Sequence, residues 1–143
     1  MERFEYFVLL KPAIEGGFIV TCRDLPQLIT QGENLEEALV EASDAMDEVF
    51  AAYMKAGLEF PAPSKNKRGE HLVAPPAETM AKAALYVAMK EAGITKVQLA
   101  KQLGVDEKEV RRLLDPHYAS KLPRIAQAIE ALGKRLVIGL EPA

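Results

Sequence analysis

Apolar residues recur at every second position near the start of this chain and at every third or fourth position over much of the remainder, so strands are expected first and helices afterwards. Phe4, Tyr6, Val8 and Leu10 alternate with Glu5, Phe7 and Leu9, which predicts a strand over Phe4–Leu10. Pro12 and Gly16-Gly17 supply turn chemistry before Phe18–Cys22, a second β-branched and aromatic run, and the two read as a hairpin. Asp24-Leu25-Pro26 breaks the second strand. A short third one, Leu28–Gln31, stops at Gly32.

Asn34 with Glu37 three residues on has capping-box spacing, in which each side chain satisfies the other's backbone amide at a helix start. The helix that follows carries one apolar stripe, Leu35, Ala38, Leu39, Ala42, Ala45, Met46, Val49, Phe50 and Tyr53, and Gly57 offers its stop. Glu36, Glu41, Asp44, Asp47 and Glu48 fall largely off the stripe. Paired carboxylates can hold Mg²⁺, but a solvated helix face is the commoner meaning of such acids, and no metal site is expected. Pro61, Pro63, Lys65, Asn66, Lys67, Arg68 and Gly69 lack any period and read as a loop or linker. His71–Ala74 supplies one more strand before Pro75-Pro76 resets the chain for a helix.

From there the pattern is helical. Met80, Ala83, Ala84, Val87 and Ala88 share one face of a helix over Pro76–Ala92, closed by Gly93. Thr95 caps a short helix, Lys96–Leu103; Gly104-Val105 turns; Asp106 caps another, Glu107–Leu114, limited by Pro116; and Pro123–Leu132 packs behind them. Lys134–Leu140 is β-rich and has no obvious partner strand within its own helical domain. Strand exchange with a second subunit would satisfy its backbone groups. The expected fold class is α+β: an N-terminal αβ domain over 1–74, with an antiparallel sheet and one long helix, and a helical domain over 75–143 ending in a strand.

A net charge of −3 hides an asymmetry: Met1–Glu70 holds 7 Lys and Arg against 13 Asp and Glu, or −6, whereas His71–Ala143 holds 11 against 8, or +3. An acidic half attracts basic proteins and repels nucleic acid, while a mildly basic half tolerates phosphate, so one chain can engage two kinds of partner. Halves of this size are marginal on their own, which favours oligomers. Cys22 is the single cysteine, so an internal disulfide is excluded and a reducing, cytoplasmic setting is expected. No charged-then-apolar leader and no long apolar run point to export or to a membrane.

The segment ITKVQLAKQLGVDEKEVRRLL, Ile94–Leu114, carries the functional signal. Leu99, Ala100 and Leu103 face Val105, Val110 and Leu113 across a turn where Gly104 suits a positive φ, the arrangement of a DNA-binding helix-turn-helix. Glu107, Lys108, Arg111 and Arg112, with Asp106, then point outward to decide sequence preference; Lys108 and Arg111 suit guanine O6 and N7, and Glu107 suits cytosine N4. Thr95 and Lys96 at the start of the preceding helix, and Ser120 and Lys121 beyond Pro116, suit phosphate contacts.

At this point the chain resembles HicB antitoxins of the class with a helix-turn-helix. The resemblance rests on YFVLLKPAIEGGFIVTCRDLPQLITQGENLEEALVEASDAM (Tyr6–Met46), FPAPS (Phe60–Ser64), Ile94–Ile125 and ALGKRLVIGL (Ala131–Leu140). It implies a catalytically silent, partial RNase H-like first domain that binds and masks a small basic HicA toxin, an mRNA endoribonuclease. It also implies a second domain that represses the operon as a dimer or higher oligomer. Gly16, Gly17, Asp24, Leu25 and Pro26 match family positions and are the implied toxin-facing residues; Thr95, Lys96, Lys108, Arg111, Ser120 and Lys121 match the DNA-reading motif.

Two other classes compete. A metal-dependent nuclease needs convergent carboxylates, and the strands offer mainly Glu5 and Asp24. His71 and His117 lie far apart and outside any metal-ligand spacing. A regulator whose first domain senses a small ligand is the other, but no cofactor signature supports it. The expectation is a non-enzymatic antitoxin without a cofactor.

Overall fold

The computed structural model describes residues 3–142 of the chain. The fold is α+β, and the chain divides into two compact units, one running to Met80 and the other beginning at Ala81.

The first unit holds strands β1 (Tyr6–Pro12), β2 (Phe18–Cys22) and β3 (Ile29–Gly32), helix α1 (Leu35–Ala56) and strand β4 (Glu70–Val73). The strands form one antiparallel sheet in the order β3-β2-β1-β4, so the chain leaves one edge, runs through α1 and returns at the other. Register follows the alternation: Leu10 pairs with Val20, Val8 with Cys22, and Tyr6 with Val73. Tyr6, Val8, Val20, Cys22 and Val73 are buried, as are Ala38, Ala42, Met46, Val49, Phe50 and Met54 of α1. Leu35, read as part of the stripe, is exposed in the first turn. The alternate strand positions, Phe7, Leu9, Ile19, Ile29 and Leu72, form the other face of the sheet, where Ile19, Ile29 and Leu72 are exposed.

Asn34 caps α1 as expected, its side chain accepting from the Glu37 amide at 2.8 Å, but the Glu37 carboxylate accepts from the Glu33 amide at 3.4 Å where a reciprocal box would use that of Asn34. The stretch between α1 and β4 is a tied loop within this unit. Phe60 lies against Phe50 with ring centroids 4.6 Å apart and stacks on Tyr53 at 5.9 Å, while the Tyr6 hydroxyl donates to the Pro61 carbonyl at 2.7 Å. Burying a side chain such as Phe50 is worth about 1.5–3 kcal/mol, and it gathers Phe4, Tyr6 and Phe60 around it.

Helix α2 (Ala77–Ala92) precedes α3 (Lys96–Leu103), α4 (Glu107–Leu113) and α5 (Leu122–Ala131). The single apolar face expected for α2 is too narrow: Met80, Ala84 and Val87 are only half-buried, while Ala81, Lys82, Ala83, Leu85, Tyr86, Ala88 and Met89 are buried. Leu99 and Ala100 of α3, Val110 and Leu113 of α4, and Ile125, Ala128 and Ile129 of α5 fill the interior of the helical unit. The strand expected at Lys134–Leu140 is not formed: this segment carries no regular secondary structure, because a strand needs a partner ladder and no described strand pairs with it.

Candidate functional site

Helices α3 and α4 are joined by a turn at Gly104–Asp106 whose local chemistry is written in its residues. Thr95 and Gln98 form a reciprocal capping box at the start of α3, with the Thr95 amide donating to Gln98 Oε1 at 2.9 Å and the Gln98 amide to Thr95 Oγ1 at 3.1 Å. Gly104 sits at φ +69°, a conformation that strains any side-chain-bearing residue, and the Val105 amide closes the end of α3 on the Ala100 carbonyl at 3.0 Å. Asp106 then caps α4, accepting from the Glu109 amide at 3.0 Å. Three consecutive caps leave the turn little freedom, so whatever α4 presents is held rigidly.

What α4 presents outward is Glu107, Lys108 and Arg111, all exposed. Arg112 differs. It is half-buried, its guanidinium carbon lies 5.0 Å from the centre of the Tyr118 ring, and Glu109 is 4.0 Å away. This side chain has an internal task against the ring. Lys96 and Lys121 are exposed at the starts of α3 and α5, whereas the hydroxyl of Thr95 is committed to its cap.

Ser120 is also committed, and to a residue that the periodicity of α2 did not single out. Lys82 has no exposed surface, and its Nζ donates to Ser120 Oγ at 2.8 Å, to the carbonyls of Arg112 at 2.9 Å and Asp115 at 2.7 Å, and to that of Tyr118. An ammonium has three N–H bonds, so these four oxygens more than saturate it. The Arg112 carbonyl, which also accepts from the Asp115 amide at 3.2 Å, lies at the end of α4 where the negative end of the helix dipole favours a cation. Lys82 therefore sets the loop from Asp115 to Ser120 against the end of α4. The available clue was a lone lysine inside a run of Ala, Leu and Tyr that leaves α2 without a polar face there.

In the first unit the residues implied to face a toxin separate into two groups. Leu25 has no exposed surface and serves the core, which corrects its expected role at a partner surface. Asp24 accepts from the Ser64 amide at 2.8 Å and from the Ser64 hydroxyl, tying the turn to the loop before β4. A Cβ on Gly17 would lie 2.6 Å from the Gly32 carbonyl oxygen, so that residue permits a close approach of two backbones. Gly16 and Pro26 remain exposed. Arg23 clamps Glu70 with Nε–Oε2 at 2.8 Å and Nη2–Oε1 at 2.7 Å and also donates to the Lys65 carbonyl at 2.7 Å. The Arg23 hydrogen bond, above all, holds the Glu70 carboxyl down to about 2. Burial pushes the Cys22 thiol up, which makes it a poor nucleophile. The acids a nuclease reading depends on are engaged elsewhere: Glu5 pairs with Arg3, and Asp24 with Ser64.

Residues 5–84 match the family described as HicB_like antitoxin of bacterial toxin-antitoxin system. Similarity to individual proteins runs through both units. Antitoxin HicB of Escherichia coli strain K12 is 36% identical over 131 residues, covering 92% of this chain and 95% of that protein. Antitoxin HicB 1 of Photorhabdus laumondii is 30% identical over 141 residues, covering 99% and 90%, and Antitoxin HicB of Pseudomonas fluorescens is 32% identical over 129 residues, covering 90% and 88%.

Proposed function

This chain belongs to the HicB-like antitoxin family, and from that premise we propose that it neutralises a HicA-type endoribonuclease toxin with its first unit and represses its own operon with α3 and α4. It does so as a non-catalytic, cytoplasmic homo-oligomer. The observation that carries the reading is the outward presentation of Lys108 and Arg111 on a helix fixed by the Gly104 turn. Both side chains are long donors exposed to solvent, and either reaches the acceptor pair of guanine in the major groove. Glu107 stands beside them to accept from cytosine. Lys96 and Lys121 contact phosphate and set register; Thr95 offers its helix start, and Ser120 and Arg112 act from within by shaping the loop and the end of α4.

The acidic balance of the first unit, together with the uncovered Ile19, Ile29 and Leu72 on its sheet, suits a basic protein partner with an apolar contact zone. Gly16 and Pro26 lie on the surface of the same unit, and Gly17, Asp24 and Leu25 hold its turns in shape.

Co-expression with the adjacent reading frame tests the partner: a short basic product that co-purifies supports the reading. Gel shifts on the chain's own promoter test the rest. Replacing Lys108 and Arg111 together by alanine abolishes sequence preference and leaves toxin neutralisation intact. Retained operator preference in that double variant overturns the assignment of α4.

A further inference from the structure

We infer that the Tyr118 hydroxyl donates to a phosphate of the DNA that α4 engages, taking the contact that the sequence pattern gives to Ser120. The inference rests on the DNA-binding reading above and deepens it by naming one contact to the DNA backbone.

A phosphate oxygen accepts and does not donate, so a neutral side chain that meets it must bring a hydrogen. Ser120 has none to spare. Its hydroxyl accepts from Lys82 Nζ at 2.8 Å and directs its single hydrogen to the Arg112 carbonyl at 3.5 Å. Tyr118 stands two residues earlier in the same loop and is 42% exposed. Its hydroxyl has no hydrogen-bond partner among the described residues.

The rest of Tyr118 is held in place. Its amide donates to the Asp115 carbonyl at 3.0 Å, and its carbonyl accepts from the buried Lys82 ammonium. The loop is further fixed where the Asp115 carboxylate accepts from the His117 amide at 2.9 Å. The Arg112 guanidinium carbon lies 5.0 Å from the centre of the Tyr118 ring and Lys82 Nζ lies 5.9 Å from it, so two cations hold the ring. With backbone and ring both fixed, the hydroxyl meets a ligand at little further cost in conformational entropy, unlike the end of a long flexible side chain. The charge around it suits an anion as well: Arg112 lies against the ring, and the exposed Lys121 follows three residues on. A ring needed only to pack against Arg112 gains nothing from its oxygen, and phenylalanine serves that role equally.

Y118F in the full chain separates the two roles, because it keeps the ring and removes only the hydroxyl. Its melting temperature is expected to match the wild type. Its affinity falls about tenfold on promoter DNA and by the same factor on unrelated DNA, as the loss of one hydrogen bond to a charged group allows. Because a phenol carries no charge, the salt dependence of binding stays as in the wild type. Promoter duplexes with a neutral methylphosphonate at one backbone position at a time then locate the contact: at one position per bound α4 the replacement costs the wild type several-fold more than it costs Y118F. Wild-type affinity in Y118F, a loss confined to promoter DNA, a lowered melting temperature that tracks the loss, or no position that distinguishes the two proteins overturns the inference and leaves α4 as the DNA-binding helix. A wild-type chain that binds neither DNA overturns the repressor reading and this contact together.

Discussion

Replacing Lys82 by methionine keeps most of the side-chain volume and removes the ammonium, so the carbonyls of Arg112, Asp115 and Tyr118 lose that donor in the interior. We expect K82M to destabilise the helical unit by about 1.5–3 kcal/mol, the range for hydrogen bonds to charged groups, read from urea unfolding. Promoter affinity should fall as well, although Lys82, with no exposed surface, cannot touch DNA. Wild-type stability in K82M would show the ammonium to be dispensable. Glu70 makes a pH-dependent case. Its folded value of about 2 lies below the ordinary 4.5, so its contribution is complete above the ordinary value and drains away as pH falls from there towards 2. The wild-type melting temperature should therefore drop more steeply than that of E70Q between pH 5 and pH 2; parallel curves would mean that the Arg23 clamp adds nothing. Neither residue announced itself in the chain. Lys82 reads as one polar position on a helix, and Arg23 and Glu70 lie 47 residues apart.

At the scale of elements, the turns and caps were legible because their causes are local. Asn34, Thr95 and Asp106 each cap the helix that follows, and Gly104 takes the left-handed conformation, as the side-chain chemistry of those positions requires. The G104A substitution forces a Cβ into that conformation at a cost of about 1–2 kcal/mol. It should also weaken promoter binding more than nonspecific DNA binding, because it tilts α4 without removing a charge; an equal loss on both DNAs would speak against a rigid reading helix. The loop before β4 was not legible as a packed element. Its prolines and basic residues read as a loop or linker, and it is a loop, but one in which Phe60 stacks on Tyr53 and Ser64 is tied to Asp24. Those contacts span the unit, and no period within the loop encodes them.

Taken whole, the chain divides into two compact units, the first acidic in balance. A truncation testing their independence should keep residues through Met80, because Thr79 is buried and its hydroxyl is hydrogen-bonded to Asp47 of α1. Residues 1–80 are expected to retain toxin binding in a pull-down and to lose promoter binding in a gel shift. A fragment ending at Pro75 should melt lower than one ending at Met80. Equal melting temperatures would deny Thr79 its anchoring role.

Periodicity and capping act between near neighbours, so the order of elements, the register of the hairpin and the outward face of α4 could be read from the amino acids alone. The charge asymmetry between an acidic half and a basic half could be read the same way. Folding decided the rest: that Leu25 lies in the core, that Ser120 accepts from Lys82 while Arg112 lies against Tyr118, and that a lone lysine on α2 secures the end of α4. Such choices depend on which groups lose water together, and residues far apart in the chain meet that condition only once the packing exists.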